Sequence, residues 1–265
     1  MKVVMLAAGV GSRLERGPGA PPKSLLRFGG RTLLERHLAT LAHFGLDDLT
    51  LALGYEAAQI EHEIAAAGGP VWVSTRFNEH FADSSLLSLW CVRDALAAGE
   101  PVLYMDADVL YDWRLLERLL EAPCPDCLLI DRNVEPGEDP VKVCLQGGQV
   151  VDFHKQIRAP AYDFWGEWVG FARFGAENAA RIVPAMERYL VAGRTEVIYE
   201  EPLRDVILAS PPGTFGVADI SGLPWIEIDF PDDLRRAKDE ILPRLAELPD
   251  ASPQHDGHAL GPASR

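Results

Sequence analysis

The chain lacks several features that would define its class at once. Its 265 residues include four cysteines, too few and too irregularly spaced for a disulfide framework. Cys124 and Cys127 have the C-x-x-C spacing of redox and zinc sites, but no second pair accompanies them, so no zinc is expected. Seven histidines show no ligand spacing, and two of them, His255 and His258, fall near the end of the chain. No Ser-His-Asp or Cys-His arrangement points to a covalent nucleophile. Basic residues are scarce: 25 Lys and Arg stand against 40 Asp and Glu, for a formal charge of −15 and a pI near 4.8. A general attraction to nucleic-acid backbones or anionic membranes is thereby excluded, and any phosphate must be bound locally. Long apolar runs are also missing. The first, Val3 to Val10, contains Gly9 and is too short for a secretory core or a bilayer span. A reduced, cytoplasmic setting is expected.

With 48% apolar residues the chain can bury one substantial core, and a single domain is the starting assumption. Strand-like and helix-like segments alternate in the first half. Val3–Ala7, Leu49–Leu53, Val71–Ser74 and Pro101–Met105 read as strands. Arg31–Phe44, about 56–66 and about 84–98 read as amphipathic helices. Such alternation predicts an α/β fold, a Rossmann-like doubly wound mixed sheet that is mostly parallel. After Asp126 the texture changes to short strands at Cys127–Asp131, Val141–Leu145, Val150–His154 and Glu167–Phe174, with a Gly147-Gly148 turn, so antiparallel additions are expected in the C-terminal half. Helices at Ala176–Val191 and Glu200–Ala209, a strand at Trp225–Asp229 and a helix from Pro231 to about Leu245 complete the reading. Residues 1–245 would form one domain, with a nucleotide half to about 125 and an acceptor half to about 245, and 246–265 a disordered tail.

Leu6-Ala7-Ala8-Gly9-Val10-Gly11-Ser12-Arg13 follows the first strand, and Pro22-Lys23 comes nine residues after Arg13. A dinucleotide fingerprint would need a third small residue where Leu14 stands, and an ATPase phosphate loop would need Gly-Lys-Ser/Thr, whereas Lys23 follows Pro22. Small residues here let the backbone approach a base and a triphosphate, with Arg13 and Lys23 supplying positive charge. Two acid pairs share one spacing: Asp106 and Asp108 after a buried strand, and Glu227 and Asp229 within Trp225–Phe230. Isolated acids at strand ends suit magnesium, which takes few carboxylates and shares phosphate oxygens.

The glycine string and its Pro-Lys resemble the signature of nucleotidyltransferases that activate sugar-1-phosphates and related compounds, the nucleotide-diphospho-sugar transferase type. Asp106-Ala107-Asp108, Glu227-Ile228-Asp229 and the segment Asn78–Leu89 are similar to the phosphocholine and 2-aminoethylphosphonate cytidylyltransferase branch. The resemblance covers Met1 to about Leu245. It implies a Mg2+-dependent transfer of CMP from CTP to a phosphate or phosphonate acceptor, with pyrophosphate released. By this likeness Arg13, Lys23 and Asp108 are catalytic, and Asp108, Asp229 and Glu227 hold the metal. Leu6, Ala7, Ala8, Gly9, Gly11, Ser12, Ser88 and Asp106 would face the nucleotide. Ser85 departs from the branch, which often carries Asn there.

Acceptor residues fall in the less regular second half. Lys155 is the candidate for the acceptor phosphate, and the cluster Trp165, Glu167, Tyr199 and Glu200 offers aromatic faces and carboxylates to a cationic amine. Val197-Ile198 stand where phosphocholine enzymes carry an acid, which weakens the case for choline. A sugar- or inositol-1-phosphate acceptor, and a non-catalytic nucleotide sensor, remain as alternatives. A homodimer is the one protein assembly entertained.

Overall fold

The computed structural model describes residues 1–14, 17, 19–133 and 140–249. In chain order the first half runs β1 (Lys2–Ala7), the short strands β2 (Arg27–Phe28) and β3 (Arg31–Thr32), α1 (Leu33–His43), β4 (Leu49–Leu53), α2 (Ala57–Ala66), β5 (Val73–Phe77), α3 (Ser85–Cys91), α4 (Arg93–Leu96) and β6 (Val102–Asp106). Then come β7 (Val109–Tyr111), α5 (Arg114–Glu121), β8 (Asp126–Asp131), β9 (Lys142–Gln146), β10 (Gln149–His154), β11 (Phe164–Phe174), α6 (Ala176–Val191), α7 (Glu200–Ala209), β12 (Phe215–Asp219), β13 (Trp225–Glu227) and α8 (Pro231–Arg236).

One sheet organises the molecule, with the order β10-β9-β11-β6-β1-β4-β5 and with β8 and β12 joined through β11. β1 lies between β4 and β6, parallel to both, and β4 is parallel to β5. Because strand side chains alternate, β1 feeds two cores: Val4 joins α6 and α7 residues on one face, and Val3 and Met5 join α1 and α5 residues on the other. β11 is antiparallel to β6, β8 and β9, so the sheet is the mixed, doubly wound one expected. Gly147 and Gly148, both at positive φ, close the β9–β10 hairpin as the primed turn requires. No helix among the described residues is long and apolar enough to cross a membrane.

Local chemistry sets the boundaries. Thr32 caps α1 reciprocally with Glu35, so the helix starts at Leu33 and not at Arg31. Gly45, at φ 64°, ends it, with the Leu46 N–H returning to the Leu41 carbonyl. The third strand lies two residues later than expected, because the Val73 N–H donates to the Pro70 carbonyl and this turn leaves Val71 in solvent. The helix expected over 84–98 divides at buried Val92, where the Val92 N–H bonds the Leu89 carbonyl at a tighter spacing. The last helix is α-helical only to Arg236. It widens into a π-type turn at Ala237–Ile241 and ends in a 3-10 turn at Leu242–Arg244, since Pro243 has no N–H to continue the ladder. β13 stops at Glu227 and pairs with β7 in a separate two-stranded ribbon. Most of the expected tail, 250–265, lies outside the described residues, but Ala246 and Glu247 are tied down through the Asp112 carboxylate and the Trp113 indole N–H.

A small third core matters most for the site. Leu14, Phe28, Leu33, Leu110, Ile226, Ile228, Ala237 and Ile241 pack together, which draws the end of the glycine loop, the β7–β13 ribbon and the C-terminal helix to one place.

Candidate active site

A cleft of about 1030 Å³ opens at the carboxyl ends of β1 and β6. The loop after β1 forms one wall. Gly11 needs its positive φ of 66° to make the turn that bonds the Leu14 N–H to the Gly11 carbonyl. Gly9 is different: a Cβ added there would meet nothing within 4 Å, so the fold itself does not demand a glycine. Its bareness leaves room for whatever enters the cleft. The loop is held from behind, where the Tyr55 N–H donates to the Ala8 carbonyl and Gly54 lets Phe81 close in.

β13 explains how the distant acids arrive. Ile226 and Ile228 are buried in the third core, so by alternation Glu227 and Asp229 face the cleft. The Ile228 N–H donates to the Asp108 carbonyl, which sets Asp229 across from Asp108. Asp233 accepts from the Asp229 and Phe230 N–H groups and fixes the start of α8. Asp108, Glu227 and Asp229 thereby bring carboxylate oxygens within 4.8 Å of one another. Lys23 bridges two of them, 2.9 Å from Asp108 and 2.5 Å from Asp229. Arg13 pairs with Asp229 at 2.9 Å and lies 5.2 Å over the Phe230 ring. Burial opposes the Lys23 charge, but the two carboxylates outweigh it and raise its pKa above the usual lysine value. Glu227 is exposed to the cleft, and the protein packed around it, with the charges of Asp108, Asp229 and Asp106, pushes its carboxyl above the ordinary range.

The donor set fits a small hard cation: three oxygen ligands converge, and a lysine ammonium already sits between two of them as a positive stand-in.

Asp106 has a separate environment despite its place one residue from the turn. Its two oxygens accept from the hydroxyls of Tyr104, at 2.7 Å, and Tyr199, at 2.6 Å, and the Trp168 indole N–H donates to Tyr199 at 3.3 Å. Burial and the Asp108 charge push the Asp106 carboxyl well above its ordinary range in spite of those hydrogen bonds. Gly170, at φ 88°, makes this possible, since a Cβ there would lie 2.7 Å from the Asp106 carboxylate. A glycine inside a strand is the sequence signal that could have flagged it.

At the other end of the cleft stand Lys155, Glu167, Trp168, Tyr199 and Glu200. Glu200 opens α7 and has one carboxylate oxygen buried with no hydrogen-bond partner. Burial, only partly countered by its own N–H and the Lys155 charge, raises its pKa from 4.5 to about 7. The surroundings are pinned: His154 contacts Glu201 at 3.0 Å, Arg204 pairs with Asp152 at 2.8 Å, and the Lys142 ammonium donates to the Lys155 carbonyl at 2.7 Å. Between about pH 4.5 and about 7 the folded chain holds a proton on Glu200 that the unfolded chain has released, so stability falls as pH rises through that window. Glu200→Gln should flatten this slope, as read by thermal unfolding midpoints across the same range.

Of the residues singled out from the sequence, Leu6, Ala7, Ala8, Gly9, Gly11, Ser12, Arg13, Lys23, Ser88, Asp106, Asp108, Lys155, Glu167, Tyr199, Glu200, Glu227 and Asp229 all line this one cleft. Trp165 does not. Its position on β11 is paired with Cys144 of β9, and its ring lies under the Lys142 ammonium at 5.5 Å, so Trp168 presents the indole at the cleft in its place. Ser85 also lines the cleft, its hydroxyl accepting from the Tyr199 N–H, and Ile198 supplies an apolar wall.

Residues 3–163, more than half of the chain, match the family described as MobA-like NTP transferase domain. The chain belongs to this family. It is 30% identical over 242 residues to the bifunctional IPC transferase and DIPP synthase of Rubrobacter xylanophilus, a match covering 90% of this chain and 51% of that protein. With the CMP-5′-(3-aminopropyl)phosphonate synthase of Streptomyces rubellomurinus it shares 27% over 252 residues, 92% of this chain and 39% of the other. The chain thus spans about half or less of the length of these relatives. Among solved structures, CTP:phosphocholine cytidylyltransferase from Streptococcus pneumoniae superposes with a TM-score of 0.69 at 23% identity, covering 89% of this chain and 97% of that one. The inositol-1-phosphate CTP transferase from T. maritima gives 0.68 at 17%, covering 88% and 90%. At these identities the likeness shows the nucleotidyltransferase fold alone.

Proposed function

We propose that this NTP transferase moves CMP from CTP to a small phosphate or phosphonate acceptor that carries an amine, releasing pyrophosphate. The observation that carries the transfer reaction is the meeting of Arg13, Lys23, Asp108, Glu227 and Asp229 beside the glycine loop. A triphosphate and a second phosphate must be brought together against their mutual repulsion, and a cluster of this kind answers that need. Mg2+ held by Asp108, Asp229 and Glu227 would supply charge neutralisation at the triphosphate. Arg13 and Lys23 would turn from the carboxylates to phosphate oxygens, and the loop from Ala7 to Gly11 would admit the nucleotide against its bare backbone. Lys155 would take the acceptor's phosphoryl group and orient its oxygen for in-line attack at the α-phosphorus. CTP is favoured over other nucleotides by the likeness to the Streptomyces rubellomurinus synthase, named for a CMP product, and to the two solved transferases named for CTP.

Glu200 supports the amine. A buried carboxylate oxygen without a donor is costly, and a primary ammonium satisfies both its charge and its missing hydrogen bond. A trimethylammonium group offers charge but no N–H, which ranks 2-aminoethylphosphonate and phosphoethanolamine above phosphocholine. Inositol-1-phosphate is the second reading, favoured by the shared fold of the inositol-1-phosphate CTP transferase from T. maritima. Pyrophosphate release from CTP and Mg2+ decides among these acceptors. Turnover with the primary amines is expected, and Glu200→Gln should raise their KM by roughly tenfold while leaving the CTP KM in place. Turnover with inositol-1-phosphate alone would overturn the amine reading, and no release with any acceptor would overturn the transferase reading.

A further inference from the structure

The main-chain groups of the Asp106–Ala107–Asp108 turn are held from several directions. The Ala107 N–H donates to the Leu6 carbonyl, and the Asp108 carbonyl accepts from the Ile228 N–H. The Ala107 carbonyl falls between the end of β6 and the start of β7, where no strand bonds it. It accepts instead from a side chain, the Nε2 of His37 at 3.2 Å. His37 lies on α1, wholly buried, with its ring 5.3 Å from that of Tyr111 and 6.3 Å from that of Phe171.

Its hydrogen-bond partners fix its tautomer. A carbonyl can only accept, so Nε2 carries the proton, and Nδ1 of the neutral ring is left to accept from the Tyr111 hydroxyl at 3.4 Å. Burial, partly offset by the bond to Ala107, lowers the ring's pKa to about 4, in keeping with a neutral imidazole. The Ala107 carbonyl and the Asp108 N–H belong to one rigid peptide plane. With the next peptide held through the Asp108 carbonyl by the Ile228 N–H, fixing this plane as well restricts both backbone torsions of Asp108, and so the direction in which its side chain leaves the backbone.

We propose that His37 is a positioning residue for this transferase, holding the Ala107–Asp108 peptide so that Asp108 faces Asp229 and Glu227. The inference rests on the reading of Asp108 as a metal ligand. A buried apolar residue would fill the same space but would leave the carbonyl unbonded, and the peptide between the two held flanks would lose its own tie.

A pair of substitutions of similar size separates this role from packing. Gln can donate to the Ala107 carbonyl and Met cannot. Mn2+ binding in the presence of CTP and without acceptor, followed by electron paramagnetic resonance, reports on the metal site without turnover. His37→Met is expected to weaken Mn2+ binding by roughly tenfold and to lower kcat more than it changes the CTP KM, whereas His37→Gln should restore both to within about threefold of wild type. If a folded His37→Met binds Mn2+ as wild type does, or if Met and Gln lose equally, the positioning role is overturned. Should His37→Met not fold, His37→Gln decides alone: Mn2+ affinity within about threefold of wild type supports the proposal, and a loss of about tenfold or more, with the donor to the carbonyl kept, overturns it. A wild-type protein that binds no Mn2+ with CTP present would overturn the metal reading itself, and with it this inference.

Discussion

Replacing Asp108 by alanine should reduce pyrophosphate release from CTP and Mg2+ by roughly a thousandfold, the scale of losing a central electrostatic group in a water-poor site. The same substitution should leave the thermal midpoint unchanged or raise it. Both expectations come from one geometry. Asp108 shares a cluster with Glu227 and Asp229, where enclosure by the protein and, after it, the repulsion of the neighbouring acids push the Glu227 carboxyl well above its ordinary range. Removing one charge relieves that repulsion, while Lys23 keeps Asp229 as a partner at 2.5 Å. A structural ion pair would behave differently, because deleting its acid strands a lysine and destabilises the fold. Near-normal turnover in a folded Asp108→Ala protein would remove the assignment, and a large drop in midpoint with proportional loss of activity would recast Asp108 as structural.

The sequence carried the local parts of this site better than the distant ones. Glycine loop, strand alternation and acid spacing are short-range patterns, so the loop from Leu6 to Arg13 and the two acid pairs could be read directly. Spacing leaves open which acid of each pair meets which, and the expectation that Asp108 joins Asp229 comes from the family likeness: Lys23 and Asp229 are 206 residues apart, and the pairing of β7 with β13 helps bring them together. The pairs are also unequal in a way spacing cannot reveal. Asp106 is bound by two tyrosine hydroxyls, while Asp108, one residue past Ala107, joins Lys23. Trp165 and Trp168 show the same limit, since aromatic composition flagged the cluster but strand register decides which indole reaches the cleft. Several elements are absent from the sequence reading, the short strands β2, β3 and β7 and the longer α5 and β12. α5 has Leu115, Leu116 and Leu119 at helical spacing, a signal that was present. β12 has no such pattern, because Gly216 interrupts it to make room for Cys124, and its place beside β8 is a tertiary fact. His37 was hidden for a similar reason, as a lone histidine on an apolar helix face gives no hint of the carbonyl it serves.

Lys23 should separate two functions that ordinarily fall together. Its ammonium stands 2.9 Å from Asp108 and 2.5 Å from Asp229, and so occupies the electrostatic place of a divalent cation. A pair of unit charges at about 4 Å is worth roughly 4 kcal/mol at an effective dielectric constant near 20, so a metal entering alone must displace a favourable internal partner. In the proposed reaction the exchange would change sign with a triphosphate present, because phosphate oxygens would offer Lys23 and Arg13 new partners as they leave the carboxylates. Metal binding to wild type should therefore depend strongly on nucleotide. In Lys23→Met the internal counter-ion is gone, and Mn2+ should bind in the absence of nucleotide at least about tenfold more tightly than to wild type. Turnover should move the opposite way, falling by roughly a hundredfold or more as the triphosphate loses its lysine. A lysine that served only to stabilise the fold would weaken both readouts, and one that served only the phosphates would leave nucleotide-free metal binding where it was. Opposed changes in the two measurements are the signature of a side chain that holds the metal's place until the nucleotide arrives.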